Sequence, residues 1–298
     1  MYRAIGDQFL SVLGYAASKD GVHFDERSEC PIFYHQNPDP KSDPAHSVLY
    51  WSGGGFGGCE DPRLTKIGNK IFMTYVAYDG VSHPRVALTS ILIDDFLNQR
   101  WLWERPVIIS PPGVIDKNAV IFPEKIGGKY VIMHRIFPDI LIDYVDHLNF
   151  DGTTFLEGKY RIKPREHMWD SRKVGAGAPP IKTPYGWLLI YHSVGEQDSG
   201  KYKIGAMLLD LSDPTIVLHR TNTPILEPTE SYENDGFKSG VTYPCGAVVV
   251  NNELFVYYGG ADMVVCTASA PLEAFLRELT EHEEGRLQPV RLTKITHT

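Results

Sequence analysis

Hydrophobic residues in this chain are grouped in short runs that alternate with glycine- and proline-rich turns. Long stripes with the 3.6-residue period of an amphipathic helix are scarce, and the clearest predicted helix covers Pro271 to Leu279. The short runs are rich in Val, Ile, Tyr and Phe, which pack well in pleated sheets. Together with 27 glycines and 21 prolines, they predict an all-β protein of many short strands.

One strand–turn–strand pattern recurs along the chain. In its clearest copy, residues 61–67 and 70–75 flank a turn at Gly68-Asn69. Further copies have their turns at Gly127-Gly128, Pro184-Tyr185 and Asn251-Asn252, where Gly and Asn tolerate the positive φ angles of hairpin turns. The turns begin at positions 68, 127, 184 and 251, so they recur at intervals of 57 to 67 residues. Hairpin repeats of this kind are typical of propeller blades.

The start of the chain resembles the second half of the same pattern. Residues 2–4 and 9–16 match residues 75–77 and 85–89. The first blade is therefore expected to lack its N-terminal strand or to be completed by the C-terminal segment 292–295, which would hide exposed sheet edges.

We predict one five-bladed β-propeller domain over residues 1–298. Its innermost strands are expected to begin near Asp61, Asn118, Ala178 and Gly246. A β-sandwich of similar strand content is the alternative, but sandwiches do not repeat at this interval.

Composition narrows the class of partner. With 43% hydrophobic residues, the 298-residue chain is long enough to bury a sizeable core. The net charge of −8 and the lack of a basic stripe argue against nucleic acid. The sequence shows no apolar stretch of membrane-spanning length and no signal-peptide pattern, so no membrane partner is expected. Its four cysteines lack CxxC spacing, which favours reduced thiols in a cytoplasmic protein, and homo-oligomer formation is left open.

Polar side chains cluster at or near the predicted innermost strands, where propeller blades converge on a central channel. These places are Glu60-Asp61 with Arg63, Asp116-Lys117-Asn118, His134-Arg135, Tyr191-His192 with Tyr202, and Asp262. Each one alone is as consistent with a structural role as with a catalytic one. Their recurrence at equivalent blade positions favours one shared site.

The residue types in this set point to an anion beside a sugar. Lys117, Arg135 and His192 are potential cations and Tyr202 adds a hydroxyl donor, which together suit phosphate or sulfate. Asp61 is the candidate acid on the other side of the sugar. Glycosidases normally need two carboxyl groups, whereas a phosphate nucleophile makes one sufficient. Three further carboxylates keep hydrolysis open: Glu60, Glu124 and Asp262.

Several segments together resemble the signature segments of glycoside hydrolase family 130, in the family's order and over essentially the whole chain. These segments are Glu60–Arg63, Lys117–Lys125, His134–Arg135, Gly186–His192 and Tyr257–Asp262. The resemblance implies a five-bladed propeller that acts on β-mannosides.

The resemblance also implies a mechanism, which is inverting phosphorolysis to α-mannose 1-phosphate. Asp61 is implied to protonate the glycosidic oxygen through the 3-hydroxyl of the mannosyl unit while phosphate attacks the anomeric carbon from the opposite face. The implied phosphate ligands are Lys117, Arg135, His192 and Tyr202, and the implied substrate-binding residues are Arg3, Glu60 and Asp262. Inorganic phosphate is the expected co-substrate, and neither a metal nor a cofactor is expected.

The chain departs from the family pattern in two places. The family has a strand before residues 2–4 with an Asn that helps to hold the sugar, and this sequence begins after that strand. The stretch from Pro31 to Phe56 is longer than in many members and is expected to shape the acceptor subsite. Two alternatives therefore stay open: a mannosidase that hydrolyses β-1,2-linked mannosides, and a non-catalytic sugar-binding propeller.

Overall fold

A computed structural model of the protein describes residues 1–6, 9–35 and 55–291. The N-terminal part contains four short strands: β1 (Tyr2–Ile5), β2 (Leu10–Gly14), β3 (Ala16–Ala17) and β4 (Glu26–Arg27). β3 and β4 pair with each other in a separate two-stranded ribbon, whereas β1 and β2 belong to the first large sheet. That sheet continues with β5 (Gly57–Ile67), β6 (Lys70–Tyr78), β7 (Arg85–Leu92) and β8 (Val107–Ile108).

Three more large sheets follow in chain order. The second contains β9 (Asp116–Ile121), β10 (Tyr130–Ile136), β11 (Asp139–Val145) and β12 (Tyr160–Ile162). The third contains β13 (Lys173–Ala176), β14 (Ile181–Thr183), β15 (Gly186–Val194), β16 (Lys203–Leu209) and β17 (Val217–Arg220). The fourth contains β18 (Thr242–Val250), β19 (Glu253–Gly260), β20 (Val264–Pro271) and β21 (Gln288–Pro289). Among the described residues, three helices interrupt the strands: α1 (Ile93–Leu97), α2 (Ser231–Asn234) and α3 (Leu272–His282).

The large sheets form a propeller-like ring. β5 of the first sheet contacts β9 of the second, β9 contacts β13 of the third, β15 contacts β18 of the fourth, and β18 returns to β5. A sandwich of two stacked sheets would not close in this way, so the sandwich alternative is wrong. The predicted innermost strands are present, and they begin two to five residues earlier than expected, at Gly57, Asp116, Lys173 and Thr242.

The prediction of five separate blades is wrong for the described residues, whose strands form four large sheets. The first copy of the repeat does form a hairpin, because β1 pairs with Ser11–Gly14 of β2 along its whole length. A hairpin alone is marginally stable, and this one joins the first sheet instead of forming its own blade. β2 runs parallel to β5 over Leu10–Ser11, where Gly58 is required because a Cβ would collide with the Ser11 backbone. The predicted completion by residues 292–295 lies outside the described residues.

The repeat turns and the C-terminal helix are confirmed. Gly68, Gly127 and Asn251 all have φ between 50° and 59° at the predicted hairpin turns. The predicted helix is α3, whose buried side chains Phe275 and Leu279 pack against the core between the third and fourth sheets. No helix in the described part of the chain is long and apolar enough to cross a membrane. All four cysteines are free thiols.

Hydrophobic cores lie between neighbouring sheets, as the stacking of blades requires. The core between the second and third sheets is centred on the fully buried Trp187, whose ring meets Phe122 edge-on at 5.2 Å. Separate clusters fill the spaces between the first and second sheets and between the third and fourth sheets. These apolar layers fix the sheets radially, so the inner strands are held in place around the channel.

Candidate active site

Three of the four inner strands, β5, β9 and β18, have a local irregularity at the level of the candidate site. On β5, the pairing with β6 shifts by one residue at Asp61. On β9, the pairing with β10 shifts by one residue near Asn118, opposite His134. On β18, the pairing with β19 shifts by one residue at Cys245. Asp61 and Asn118 have left-handed backbone conformations, with φ of 50° and 59°. Bulges of this kind re-aim side chains and are common beside active sites. Here they bring polar side chains from different sheets into contact.

Asp61 is surrounded by hydrogen-bond donors and positive charges. The hydroxyl of Tyr243 donates to its Oδ2 at 3.0 Å, and Arg3 Nη1 lies 3.8 Å from its Oδ1. Arg63, which is fully buried, donates to the backbone oxygen of Asp61 at 2.9 Å. Burial alone would raise the pKa of Asp61, but the charges of Arg3, Arg63 and Lys117 and the Tyr243 hydrogen bond lower it below its ordinary value. Asp61 is therefore ionised in the unliganded protein.

Glu60 joins the same centre as an ion-pair partner. Its buried carboxylate lies 3.4 Å from Arg3 Nη2 and 3.3 Å from Lys117 Nζ. Arg3 is also fixed by a 2.9 Å hydrogen bond from its Nε to Ser11 Oγ. The sequence-predicted residues Arg3, Glu60, Asp61 and Lys117 are thus brought together from β1, β5 and β9.

A second group of predicted residues lies on the third sheet and beside it. His192 is fully buried, with its ring 4.6 Å from that of Tyr243 and 5.9 Å from that of Tyr202. Burial lowers the pKa of His192 well below its ordinary value, and the positive charges of Arg135, Arg63 and Lys173 lower it further. The expectation that His192 serves as a cation is therefore corrected: it is neutral and can donate one hydrogen bond.

Several buried polar atoms in this second group have no hydrogen-bond partner within the described part of the chain. They are Arg135 Nε, both ring nitrogens of His192, and Asn118 Oδ1. Gly175 allows two of these side chains to converge, since a Cβ there would lie 2.6 Å from His192 Nε2 and 2.9 Å from Asn118 Oδ1. Buried polar groups are normally hydrogen-bonded, so this set indicates a place for a polar ligand.

Positive charge is concentrated around the same place. Arg135 and Lys117 lie directly opposite each other on β10 and β9, and Lys117 is paired with the Glu60 carboxylate. Lys173 Nζ donates to the Tyr202 hydroxyl at 2.5 Å. Burial would raise the pKa of Tyr202, but the charges of Lys173 and Lys238 outweigh it and lower that pKa. Tyr202 is therefore a stronger hydrogen-bond donor than an ordinary tyrosine.

Asp262 lies at the turn between β19 and β20, in a left-handed conformation with φ of 55°. Desolvation raises its pKa, the charge of Lys238 lowers it, and the charge of Asp61 raises it, so the pKa lies above its ordinary value. The charges of Asp61 and Lys238 thus act on Asp262, and its role in binding substrate stays a prediction. Within the described residues, no group of three His, Cys, Asp or Glu side chains could hold a metal ion.

Two residues that the sequence put forward lie outside this site. Glu124 is exposed and pairs with Lys182 on the surface, so its position excludes it as a base here. His134 is buried between Asp116, 2.7 Å from its Nδ1, and Asp143, 3.1 Å from its Nε2. Burial would lower the pKa of His134, but the two carboxylates outweigh it and raise that pKa to about 9. The predicted acceptor stretch from Pro31 to Phe56 lies mostly outside the described residues, at positions 36–54.

Sequence reasoning missed Lys173 and Tyr243. Tyr243 is central to the site, because its hydroxyl bonds Asp61 and also accepts from the Asn118 side-chain amide, while its ring faces His192. Both missed residues stand at the beginning of an inner strand, β13 or β18. A search for polar residues at that position in every blade would have found them.

Comparison with known proteins agrees with the resemblance to glycoside hydrolase family 130 over most of the chain. The sequence profile of glycoside hydrolase family 130, described as beta-1,4-mannooligosaccharide phosphorylase, matches residues 1–281. A 1,2-beta-oligomannan phosphorylase of Thermoanaerobacter sp. is 38% identical over 266 residues, which are 88% of this chain and 79% of that protein. A beta-1,4-mannooligosaccharide phosphorylase of Ruminococcus albus is 30% identical and covers 89% of this chain and 75% of that protein.

Comparison with solved structures supports the same family. The beta-1,2-mannobiose phosphorylase of Listeria innocua, in complex with beta-1,2-mannobiose, superposes with a TM-score of 0.69 at 35% identity. The match covers 91% of this chain and 69% of that chain. The chain therefore belongs to glycoside hydrolase family 130.

Proposed function

We propose that this protein is a β-mannoside phosphorylase that inverts the anomeric carbon and releases α-mannose 1-phosphate. The observation that carries the proposal is the set of unpaired buried donors on Arg135 and His192, together with Lys173 and Tyr202. The neutral hydroxyls of a sugar do not require the positive charges of Arg135 and Lys173, whereas a tetrahedral oxyanion suits both these charges and the neutral donors of His192 and Tyr202. Family membership and the names of the relatives support the same reaction.

The two sides of the site have complementary tasks in this proposal. Asp61, held by Tyr243 and Arg3, is the acid that delivers a proton to the glycosidic oxygen through the 3-hydroxyl of the mannosyl unit. Phosphate, bound by Lys117, Arg135, His192 and Tyr202, attacks the anomeric carbon from the opposite face. Lys173 joins these ligands because its ammonium orients the Tyr202 hydroxyl. Arg3, Glu60 and Asp262 surround the mannosyl unit.

Phosphate also supplies what Asp61 lacks in the unliganded protein. A carboxyl whose pKa is lowered by nearby cations holds no proton to give at neutral pH. A bound phosphate anion neutralises part of that positive field, which raises the pKa of Asp61 and favours its protonation. In this proposal, binding of the phosphate nucleophile and protonation of Asp61 are therefore coupled.

Hydrolysis by the same site is the second candidate, and it would depend on Asp262. Glu60 is held between Arg3 and Lys117, and Glu124 lies on the surface, so neither is placed to activate water. Asp262 has a raised pKa, which suits a general base. A hydrolase would nevertheless leave the Arg135 and His192 donors without a partner.

The proposal is tested with β-1,2-mannobiose and β-1,4-mannobiose, each incubated with and without inorganic phosphate. We expect α-mannose 1-phosphate only when phosphate is present, and we expect the β-1,2 linkage to react faster because two of the relatives named above act on it. NMR of the anomeric proton reports both the product and its configuration. Release of free mannose at the same rate without phosphate would instead establish the hydrolase.

A further inference from the structure

Lys238 is a positive charge at the edge of the anion site that the reaction described above does not use. It lies between α2 and β18, where its backbone N–H donates to the Ala261 oxygen at 3.0 Å. Its Nζ lies 4.4 Å from the centre of the Tyr202 ring, and Lys173 Nζ lies 4.3 Å from the same centre. The Tyr202 ring is therefore in contact with two ammonium groups.

The two lysines differ in how their charges are satisfied. Lys173 is partly buried and donates to the Tyr202 hydroxyl. Lys238 is exposed, and in the residues that the structure describes its ammonium makes no hydrogen bond or ion pair, only the contact with the ring. A cation–ring contact at an exposed site contributes about 0.5–1 kcal/mol, so it leaves this ammonium able to move toward an anion.

The position of Lys238 links the anion side of the site to the sugar side. Its charge acts on Tyr202 and on Asp262, two residues that the sequence assigned to different parts of the site. Arg135 and Lys173 are partly buried and His192 is fully buried, so all three side chains are less exposed than Lys238. Because Lys238 is exposed, it supplies positive charge to this site from the solvent side.

We propose that Lys238 is a phosphate-binding residue at the mouth of the site, which captures incoming phosphate from solvent and then closes the solvent side of the bound anion. This inference rests on the proposed phosphorylase function. A lysine suits the task because its ammonium is a compact charge on a long flexible stem, and an exposed charge speeds the arrival of an anion. The Tyr202 hydroxyl accepts from Lys173, so its own proton is free to donate to the same phosphate.

The test compares Lys238→Ala with Lys201→Ala. Lys201 is an exposed lysine nearby that pairs with Asp198 at 3.9 Å and has no part in the site, so its variant controls for the loss of a surface charge. We expect Lys238→Ala to raise the KM for phosphate by about tenfold, as one charge-assisted contact implies, while kcat and the KM for the mannoside change much less. Lys238→Arg should recover most of the loss, and Lys201→Ala should match wild type.

Two further measurements separate this inference from the function on which it rests. Calorimetric titration of inorganic phosphate into wild type and Lys238→Ala, without mannoside, should show weaker binding to the variant. The dependence of kcat/KM for phosphate on salt should be shallower in the variant, because part of the electrostatic attraction is gone. If wild type binds and uses phosphate but Lys238→Ala behaves like Lys201→Ala, Lys238 has no such role. If wild type neither binds nor uses phosphate, the phosphorylase proposal itself fails.

Discussion

His134 and His192 occupy comparable places on neighbouring sheets, and both are fully buried, yet their surroundings are opposite. His134 lies between the carboxylates of Asp116 and Asp143, which raise its pKa to about 9. His192 lies among positive charges, and burial together with those charges lowers its pKa. The first histidine has partners on both ring nitrogens, whereas the second has none in the described residues.

This difference in partners indicates that His134 has a structural role and that His192 belongs to a ligand-binding site. A buried charge with good partners on both sides is complete without a ligand, and it fixes the strands that carry it. A buried neutral ring with two unpaired nitrogens is complete only when something else binds. Equivalent positions in a repeat therefore do not have equivalent roles, because the partners supplied by neighbouring strands decide the role.

The largest effect that this comparison predicts is on stability. His134→Leu leaves Asp116 and Asp143 buried without their shared partner, which we expect to reduce the free energy of unfolding by about 3–5 kcal/mol. His192→Leu removes a group that has no partner, so its stability should change by less than about 1 kcal/mol. Urea unfolding of both variants measures the contrast. Equal losses would show that the two histidines are alike.

The next largest effect is expected on turnover. It concerns Asp61, whose carboxylate accepts a hydrogen bond from Tyr243, and the Tyr243 ring in turn contacts His192. Asp61→Asn removes the proposed acid, and we expect kcat to fall by about 10²-fold or more while the fold is retained. Asp146→Asn, which changes an exposed carboxylate paired with Lys129, is the matched control and should keep wild-type activity. Near-normal turnover of Asp61→Asn would move the acid elsewhere, with Glu60 the next residue to change.

A smaller effect is expected on the affinity for phosphate. Arg135→Ala removes a buried donor beside His192, so the KM for phosphate should rise about tenfold or more while mannoside binding changes much less. Sulfate should also raise the melting temperature of wild type, because a ligand that binds only the folded state stabilises it, and it should do so less for the variant. A variant that loses mannoside affinity instead would place Arg135 on the sugar side.

The smallest effect is the dependence of stability on pH. The folded pKa of His134 lies above the unfolded value of about 6.5, so its protonation stabilises the fold fully below that pH, and the contribution is lost as the pH rises through about 9. The folded pKa of His192 is lowered, so it opposes folding only below about pH 6.5, where the unfolded chain takes up a proton. Unfolding measured from pH 5 to 10 should show the alkaline decline in His192→Leu. The same decline should be absent in His134→Leu.

Much of the fold could be predicted from local patterns. The turns at Gly68, Gly127 and Asn251 were predictable because a positive φ selects for Gly and Asn, and each one fixes a hairpin. The number of sheets could not be predicted in the same way. Whether the hairpin of β1 and β2 stands alone depends on the pairing of Leu10–Ser11 in β2 with Gly57–Gly58 in β5, which lie far apart in sequence.

Some residues of the candidate site could likewise be predicted from local patterns, and others could not. Residues on one strand or motif, such as Glu60-Asp61 and Lys117, were predictable because charges at the start of a buried strand need partners. Lys173 and Tyr243 were missed, because their positions at the beginning of an inner strand were not searched and only the folded structure shows their contacts at the centre. Glu124 was wrongly included because its carboxylate has the right chemistry but points to the surface.

The sequence by itself determined the hairpin repeat, the residue types around the channel and the family, because these follow from local backbone preferences and from the order of motifs along the chain. Only the tertiary structure decided the charge of each group. His134 is protonated and His192 is neutral, although both are histidines on equivalent strands. The physical reason is that a pKa depends on burial and on charges from other strands, and those neighbours are fixed only when the sheets close around the channel.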